Sequence, residues 1–364
     1  MGFFSRKKDD GLSSNNNSSS SVNLVRKDLI PCEKMPRAPP DTYPKPEGVD
    51  PITPEQFEDY KVILAHFQNP DLKLALNTND LDNGTNIKTY IPLLSWEKFW
   101  LTRECFLRYL RANKWNTEHT IKHLTNTLCW RRETGLTHDP DQPDPLSADK
   151  VSVENETGKE TVLGFDKMRR PLFYMKNGRQ NTEPSFRQVQ HMIYMMESAV
   201  SMCPQGVEKV TVLVDFKLYK EPGIISDKAP PISIARACLN VLQNHYPERL
   251  AKCILINAPW YISAFLKMMY PFLDPATKEK AIFDEPFENH IEPEQLEALY
   301  NGRLDFTYKH DVYWPDMVEV THNTRKQQYL RWVSFGGKIG LSEFDLKGDH
   351  EELKYPVDHD MTKK

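Results

Sequence analysis

The 364-residue sequence predicts an α/β fold: an all-helical N-terminal bundle, then a mostly parallel sheet with flanking helices. Three observations carry this. Between 53 and 136, apolar residues recur at helical spacing between capping signals. From about 150 onward, short apolar runs alternate with helical stretches, the pattern of strands joined by crossovers. Two of those runs, VTVLVDF at 210–216 and the one starting at Cys253, are continuous, as expected of strands covered on both faces.

In chain order, residues 1–52 read as a disordered tail, Ser/Asn-rich at 13–21 and proline-rich at 31–51. Phe3-Phe4 beside Arg6, Lys7 and Lys8 reads either as a foot on an anionic membrane surface or as a disordered start. Thr53, Pro54 and Gln56 form a capping box with proline at N1, opening a helix whose face is Phe57, Tyr60, Ile63, Leu64 and Phe67. Residues 72–92 read as an irregular surface insertion. Ser95 caps a helix carrying Phe99, Trp100, Phe106, Tyr109 and Leu110. Asn116 or Thr117 starts another, which closes near Gly135. The helical module thus spans 53–136. A sheet-containing domain follows over 150–305, with strands at 160–165, 172–176, 210–216 and 253–257. Its helices fall at 186–202, 232–244 and 260–273. The 306–364 extension holds aromatics and a helix near 316–333, so it packs on the body and loosens after about 340.

Hydrophobic residues make up 39% and charged residues 27%, a folded body diluted by polar tails. A net charge of -4 argues against nucleic acid as a partner. The six cysteines show no CxxC and read as buried free thiols in a reducing compartment. No apolar run approaches the ~20 residues of a membrane span, and no signal core opens the chain. A cytoplasmic protein is expected. No glycine loop, GxSxG elbow or HExxH occurs. Asp215, at the end of a strand, reads as a turn cap rather than a catalytic base. No enzyme activity, metal or cofactor is expected.

The stretch 244–280 stands apart. Trp260, Tyr261, Phe265, Leu266, Met268, Met269, Tyr270, Phe272 and Leu273 leave little polar face beyond Ser263 and Lys267. Such a helix is either buried in a core or faces lipid part of the time. Next, Asp274 and Pro275 open a helix that places Thr277 and Lys280 on one face. That is a phosphate site or simply a capped helix with a solvated lysine.

YPERLAKCILINAPW followed by PFLDPATKEK, with LRYLRANKW at 107–115, resembles the CRAL-TRIO lipid-transfer family, in particular its fungal phosphatidylinositol transfer branch. ENETGK, GRQNT and HDVYWP are similar to a subgroup linked to multidrug resistance and phosphatidylserine decarboxylation. The resemblance implies a sheet, walls and lid helix enclosing one phospholipid in an apolar cavity. It implies headgroup binding by Glu248, Thr277 and Lys280, a lid bearing Trp260, Tyr261, Phe265, Leu266, Met269 and Phe272, and lining by Phe173, Met196, Val210 and Val212. Lys280 and the Thr277 hydroxyl suit a phosphodiester, and Glu248 suits inositol hydroxyls. Asn113 stands where the family has an arginine; Arg111 or Lys114 is the candidate substitute. Val162, Phe173, Met196, Val210 and Val212 replace the hydroxyls implied for phosphatidylcholine, so that lipid is disfavoured. The implied function is non-enzymatic phosphatidylinositol binding and transfer or presentation, supporting phospholipid metabolism, at the periphery of membranes. Two alternatives remain: a sterol or other apolar-lipid carrier, and a scaffold tethering a lipid-metabolising enzyme such as a phosphatidylserine decarboxylase.

Overall fold

The computed structural model describes residues 28–81, 90–136, 144–225, 231–273 and 275–363. The Phe3-Phe4 foot and the Asp274 cap lie outside the described residues.

The N-terminal module is built from capped helices. In α1 (Pro54–Gln68) the predicted box is present. The Gln56 N–H donates to Thr53 Oγ1 at 3.2 Å, and the Thr53 N–H to Gln56 Oε1 at 3.0 Å. Tyr60, Ile63 and Phe67 turn inward. The insertion after it is not irregular throughout: β2 (Lys73–Ala75) pairs antiparallel with β3 (Tyr90–Pro92). Arg132 explains why. Its guanidinium donates to the carbonyls of Leu74 (2.8 Å), Ala75 (3.0 Å) and Pro92 (3.2 Å) while pairing with Glu97.

The single helix expected from 95 is two, α2 (Ser95–Trp100) and α3 (Arg103–Ala112), because Thr102 caps the second through the Cys105 N–H. Ser95 is the first helical residue rather than the cap. α4 (Thr117–Thr134) runs from the Asn116 cap to Gly135, whose φ of 82° ends it in the left-handed region.

After the short α5 (Ala148–Val151) come β4 (Glu160–Phe165), β5 (Pro171–Lys176), α6 (Phe186–Ser201), β6 (Val210–Asp215) and α7 (Ile232–His245). β7 (Leu250–Ile256), α8 (Trp260–Met269), α9 (Pro275–Lys280) and β8 (Ala281–Phe283) complete a five-stranded sheet in the order β4-β5-β6-β7-β8. β4 is antiparallel to β5; the other pairs are parallel. One face (Val162, Phe173, Val212, Val214) packs on α6. The other (Leu172, Tyr174, Leu213, Ile254) packs on turns bearing Phe287, Leu296 and Tyr300. This double cover explains the continuous apolar run of β6.

Residues 28–52 and the C-terminal extension are more ordered than their composition suggests. Within 28–52, β1 (Ile30–Cys32) pairs in parallel with β9 (Leu304–Phe306), and Met35 is 3% exposed in the main core. Arg37 holds Asp316 with two hydrogen bonds of 2.8 and 2.6 Å. Arg169 donates to the carbonyls of Pro40 and Tyr43. Proline-rich chain is extended rather than necessarily disordered, and here it straps the surface.

At the other end, α10 (His310–Ser334) starts earlier than predicted and packs Tyr313, Trp314 and Met317 into the core. The chain after 340 is not loose. Ser342 caps α11 (Glu343–Lys347), Phe344 and Leu346 are buried, and buried Arg103 donates to the carbonyls of Tyr355 and Pro356. Asp345 also accepts from His350 and from the Lys354 and Tyr355 N–H groups. Among the described residues no helix is long and apolar enough to cross a membrane.

Candidate functional site

Glu248 sits in the turn between α7 and β7, with φ of 59°. A non-glycine residue in the left-handed region is uncommon and carries some strain. Arg111 of α3 meets it: Nε–H donates to Glu248 Oε2 at 2.5 Å. The same guanidinium lies 3.9 Å from Glu208, which also takes Arg108 at 2.5 Å. Asn113 turns inward instead, donating to the Tyr109 carbonyl at 2.8 Å and touching His123. Thus Arg111 brings positive charge to Glu248, while Asn113 closes its own helix.

Thr277 and Lys280 lie on α9, which packs on β7 and runs directly into β8. β7 and β8 are parallel with Cys253 opposite Ala281, so the turn bearing Glu248 and the helix bearing Lys280 enter the sheet from the same end. Glu248, Thr277 and Lys280 are all half-buried.

α8 spans the intervening chain. Ile262 and Met269 are buried, and Tyr261, Phe265 and Leu266 are half-buried. Trp260 is 82% exposed, and Met268 and Tyr270 are also exposed. The Phe272 side chain lies outside the described residues. This is therefore not a plain core helix: its outer surface is aromatic and apolar.

Beneath α8 the packing is unfinished. β6 is buried along its whole length, but its neighbour β7, itself an inner strand, leaves Leu250 and Cys253 half-exposed. Cys238 and Leu242 of α7 and Tyr261 and Leu266 of α8, which pack against the same core, are also only partly covered. Burial pushes the Cys238 and Cys253 thiols up to about 12, yet both keep accessible surface, as at the wall of an apolar hollow. Phe173, Met196, Val210 and Val212 are packed more tightly, from 0% exposed at Val210 to 7% at Val212. They form the dense core, and the accessible apolar surface next to it belongs to α7, β7 and α8. The sequence reading missed Cys238, Leu242, Leu250 and Cys253; their only signal was apolar character on a strand and helix next to the aromatic stretch.

Asp215 is occupied structurally. It accepts from the Tyr300 hydroxyl, the Asn257 amide and the Lys217 N–H, each at 2.8 Å. Among the described residues no cluster of potential metal ligands forms.

Partly covered apolar groups on α7, β7 and α8, with Glu248 and Lys280 on the segments that enter β7 and β8 from one end, suit an amphipathic ligand, and comparison with known proteins agrees. Residues 155–302 match the CRAL/TRIO domain and residues 59–126 the CRAL/TRIO N-terminal domain. The chain belongs to this family. It is 65% identical over 358 residues to phosphatidylinositol transfer protein PDR17 of Saccharomyces cerevisiae, covering 98% of this chain and 99% of that one. A CRAL-TRIO domain-containing protein of Schizosaccharomyces pombe is 38% identical over 83% of this chain and 28% of its own length. Among solved structures, the crystal structure of Sfh5 aligns with a TM-score of 0.49 and 15% identity, over 76% of this chain and 98% of that one.

Proposed function

We propose that this protein binds one phosphatidylinositol molecule beneath α8 and transfers or presents it between membranes, without chemical conversion. The observation that carries this reading is the run of partly covered apolar side chains along β7, with Glu248, Thr277 and Lys280 on the turn and helix that enter the sheet where β7 and β8 begin. The 65% identity to a phosphatidylinositol transfer protein supports the choice of lipid. Glu248 accepts from inositol hydroxyls, while Lys280 and Thr277 meet the phosphodiester. Arg111, already on Glu248, keeps that carboxylate from being an uncompensated charge in a part-buried site.

Sequestering acyl chains is worth about 0.8 kcal/mol per methylene relative to water. A bilayer offers the same, so chain burial is nearly neutral in exchange and the headgroup contacts decide which lipid is kept. Val162, Phe173, Val210 and Val212, in the adjoining core, carry no hydroxyls, so a phosphatidylcholine headgroup held against these strands would lack partners, at roughly 1–3 kcal/mol each. Trp260, Met268 and Tyr270, with Lys267 between them, provide the transient membrane contact.

Glu248→Ala combined with Lys280→Ala tests the headgroup assignment. Transfer of labelled phosphatidylinositol between vesicles should fall at least tenfold, on the order of the 1.4 kcal/mol that a factor of ten represents, with the melting temperature near wild type. Unimpaired transfer would reject the site; loss of folding would assign these residues to structure.

A further inference from the structure

A cavity lies where the N-terminal helices α2, α3 and α4 meet α6 and the C-terminal α10 and α11. No α8 or α9 residue lines it. Its walls include Trp100, Tyr109 and Tyr246, and its charged groups are Arg108, Arg131, Arg249, Arg325 and Lys347 against Glu197 and Glu343. The carboxylates are already fully engaged. Glu343 accepts from Arg108 at 2.7 Å, Lys347 at 3.0 Å and the Thr102 hydroxyl at 3.1 Å, with Arg249 at 3.5 Å. Glu197 accepts from Arg131 at 2.8 Å and from the Tyr246 hydroxyl at 2.7 Å. Glu104, behind Glu343, is pushed up to about 7 by burial and by the neighbouring Glu343 carboxylate. His245 adds no positive charge, being pushed down to about 3 by burial.

Arg325 of α10 is what remains. It reaches this cavity and the smaller one beside it, between α2, α4 and α6. It makes no hydrogen bond or ion pair with any described residue. This half-buried guanidinium presents five N–H donors that an incoming acceptor can engage.

We propose that this cavity is a binding site for a small phosphate-bearing anion, with Arg325 donating directly to the phosphate oxygens. The guanidinium fork matches a phosphate in a two-point contact. Arg108, Arg249 and Lys347 share the single carboxylate of Glu343, and Arg131 pairs with Glu197, so cations outnumber carboxylates and leave a net positive field. Trp100 and Tyr109 offer an apolar wall for the organic part of a phosphate ester. The phosphate could belong to a free metabolite or to a lipid headgroup.

The test uses the full chain as wild type, Arg325→Met and Arg325→Lys. Glycerol 3-phosphate is titrated by calorimetry at constant ionic strength, with chloride as the control. Capture on phosphatidylcholine vesicles with and without phosphatidic acid is measured in parallel. Saturable glycerol phosphate binding, weakened at least tenfold in Arg325→Met and partly restored in Arg325→Lys, supports the site with a free phosphate as ligand. Phosphatidic acid-dependent capture that follows the same order, without free binding, supports it with a lipid headgroup as ligand. Binding no stronger than chloride together with unchanged capture overturns the proposal, as does equal binding by folded Arg325→Met. Phosphatidylinositol transfer should be unchanged in Arg325→Met; its loss would make the cavity part of the lipid site and overturn a separate one.

Discussion

The two halves of the central sheet differ in how far they are packed. Around β5 and β6 both faces are covered, and the side chains from α6 and α10 close against them. Around β7 and β8 the cover is partial, and apolar groups on inner elements stay accessible. Residue type does not explain this, since both halves are rich in aliphatic side chains. The difference lies in what sits above. α6 is long and well anchored, whereas α8 contributes few buried side chains and keeps Trp260 in solvent. One half of the domain is closed by its cover, and the other leaves apolar surface accessible.

The largest effect should come from breaking the dense half. Phe173→Ala removes a ring that is 1% exposed and should destabilise by about 3–5 kcal/mol in urea unfolding. Leu266→Ala on α8 should cost less than half as much, since its side chain is only partly covered. Equal costs would mean that the two halves are packed alike.

A pH-dependent contrast comes next. Burial pushes Glu160 of β4 up to about 8, with Lys159 only partly offsetting it, and Glu160 Oε2 has no hydrogen-bond partner. The folded state therefore holds a proton that the unfolded chain releases near its ordinary value of 4.5. Stability from this group is fully present below about 4.5 and is lost as pH rises through about 8. Glu160→Gln should flatten that decline and stabilise the protein at pH 8 by roughly 1–3 kcal/mol. Parallel pH–stability curves for the two proteins would refute the assignment. Burial lowers His191, 3.6 Å from Glu160, well below its usual value, so its contribution has the opposite sign and is lost as pH falls below about 6.5.

The smallest effect belongs to the outer face of α8. Trp260→Ala should leave the unfolding midpoint within about 0.5 kcal/mol of wild type, because the side chain is 82% exposed. Vesicle sedimentation should nevertheless weaken several-fold. Unchanged sedimentation would remove α8 from membrane contact.

Much of this was legible in the sequence because its causes are local. The Thr53–Gln56 box, the Asn116 and Gly135 caps and the β6 run each depend on neighbours within a few residues. The Arg111–Glu248 pair spans 137 positions, so spacing along the chain carries no trace of it. Thr102 splits a helix that apolar periodicity alone reads as continuous. Proline in 31–51 and charge after 340 resemble disorder by composition, but Arg169, Asp316 and Arg103 supply distant partners that hold these segments. The contrast between β6 and β7 was likewise hidden, because both read as buried strands until the helices above them are placed.

The most direct test of the central claim is the identity and amount of lipid extracted from the purified protein, measured by mass spectrometry. One phosphatidylinositol per chain, with little phosphatidylcholine, is the predicted result. Stoichiometric phosphatidylcholine, or protein that remains empty after exposure to phosphatidylinositol vesicles, would contradict it.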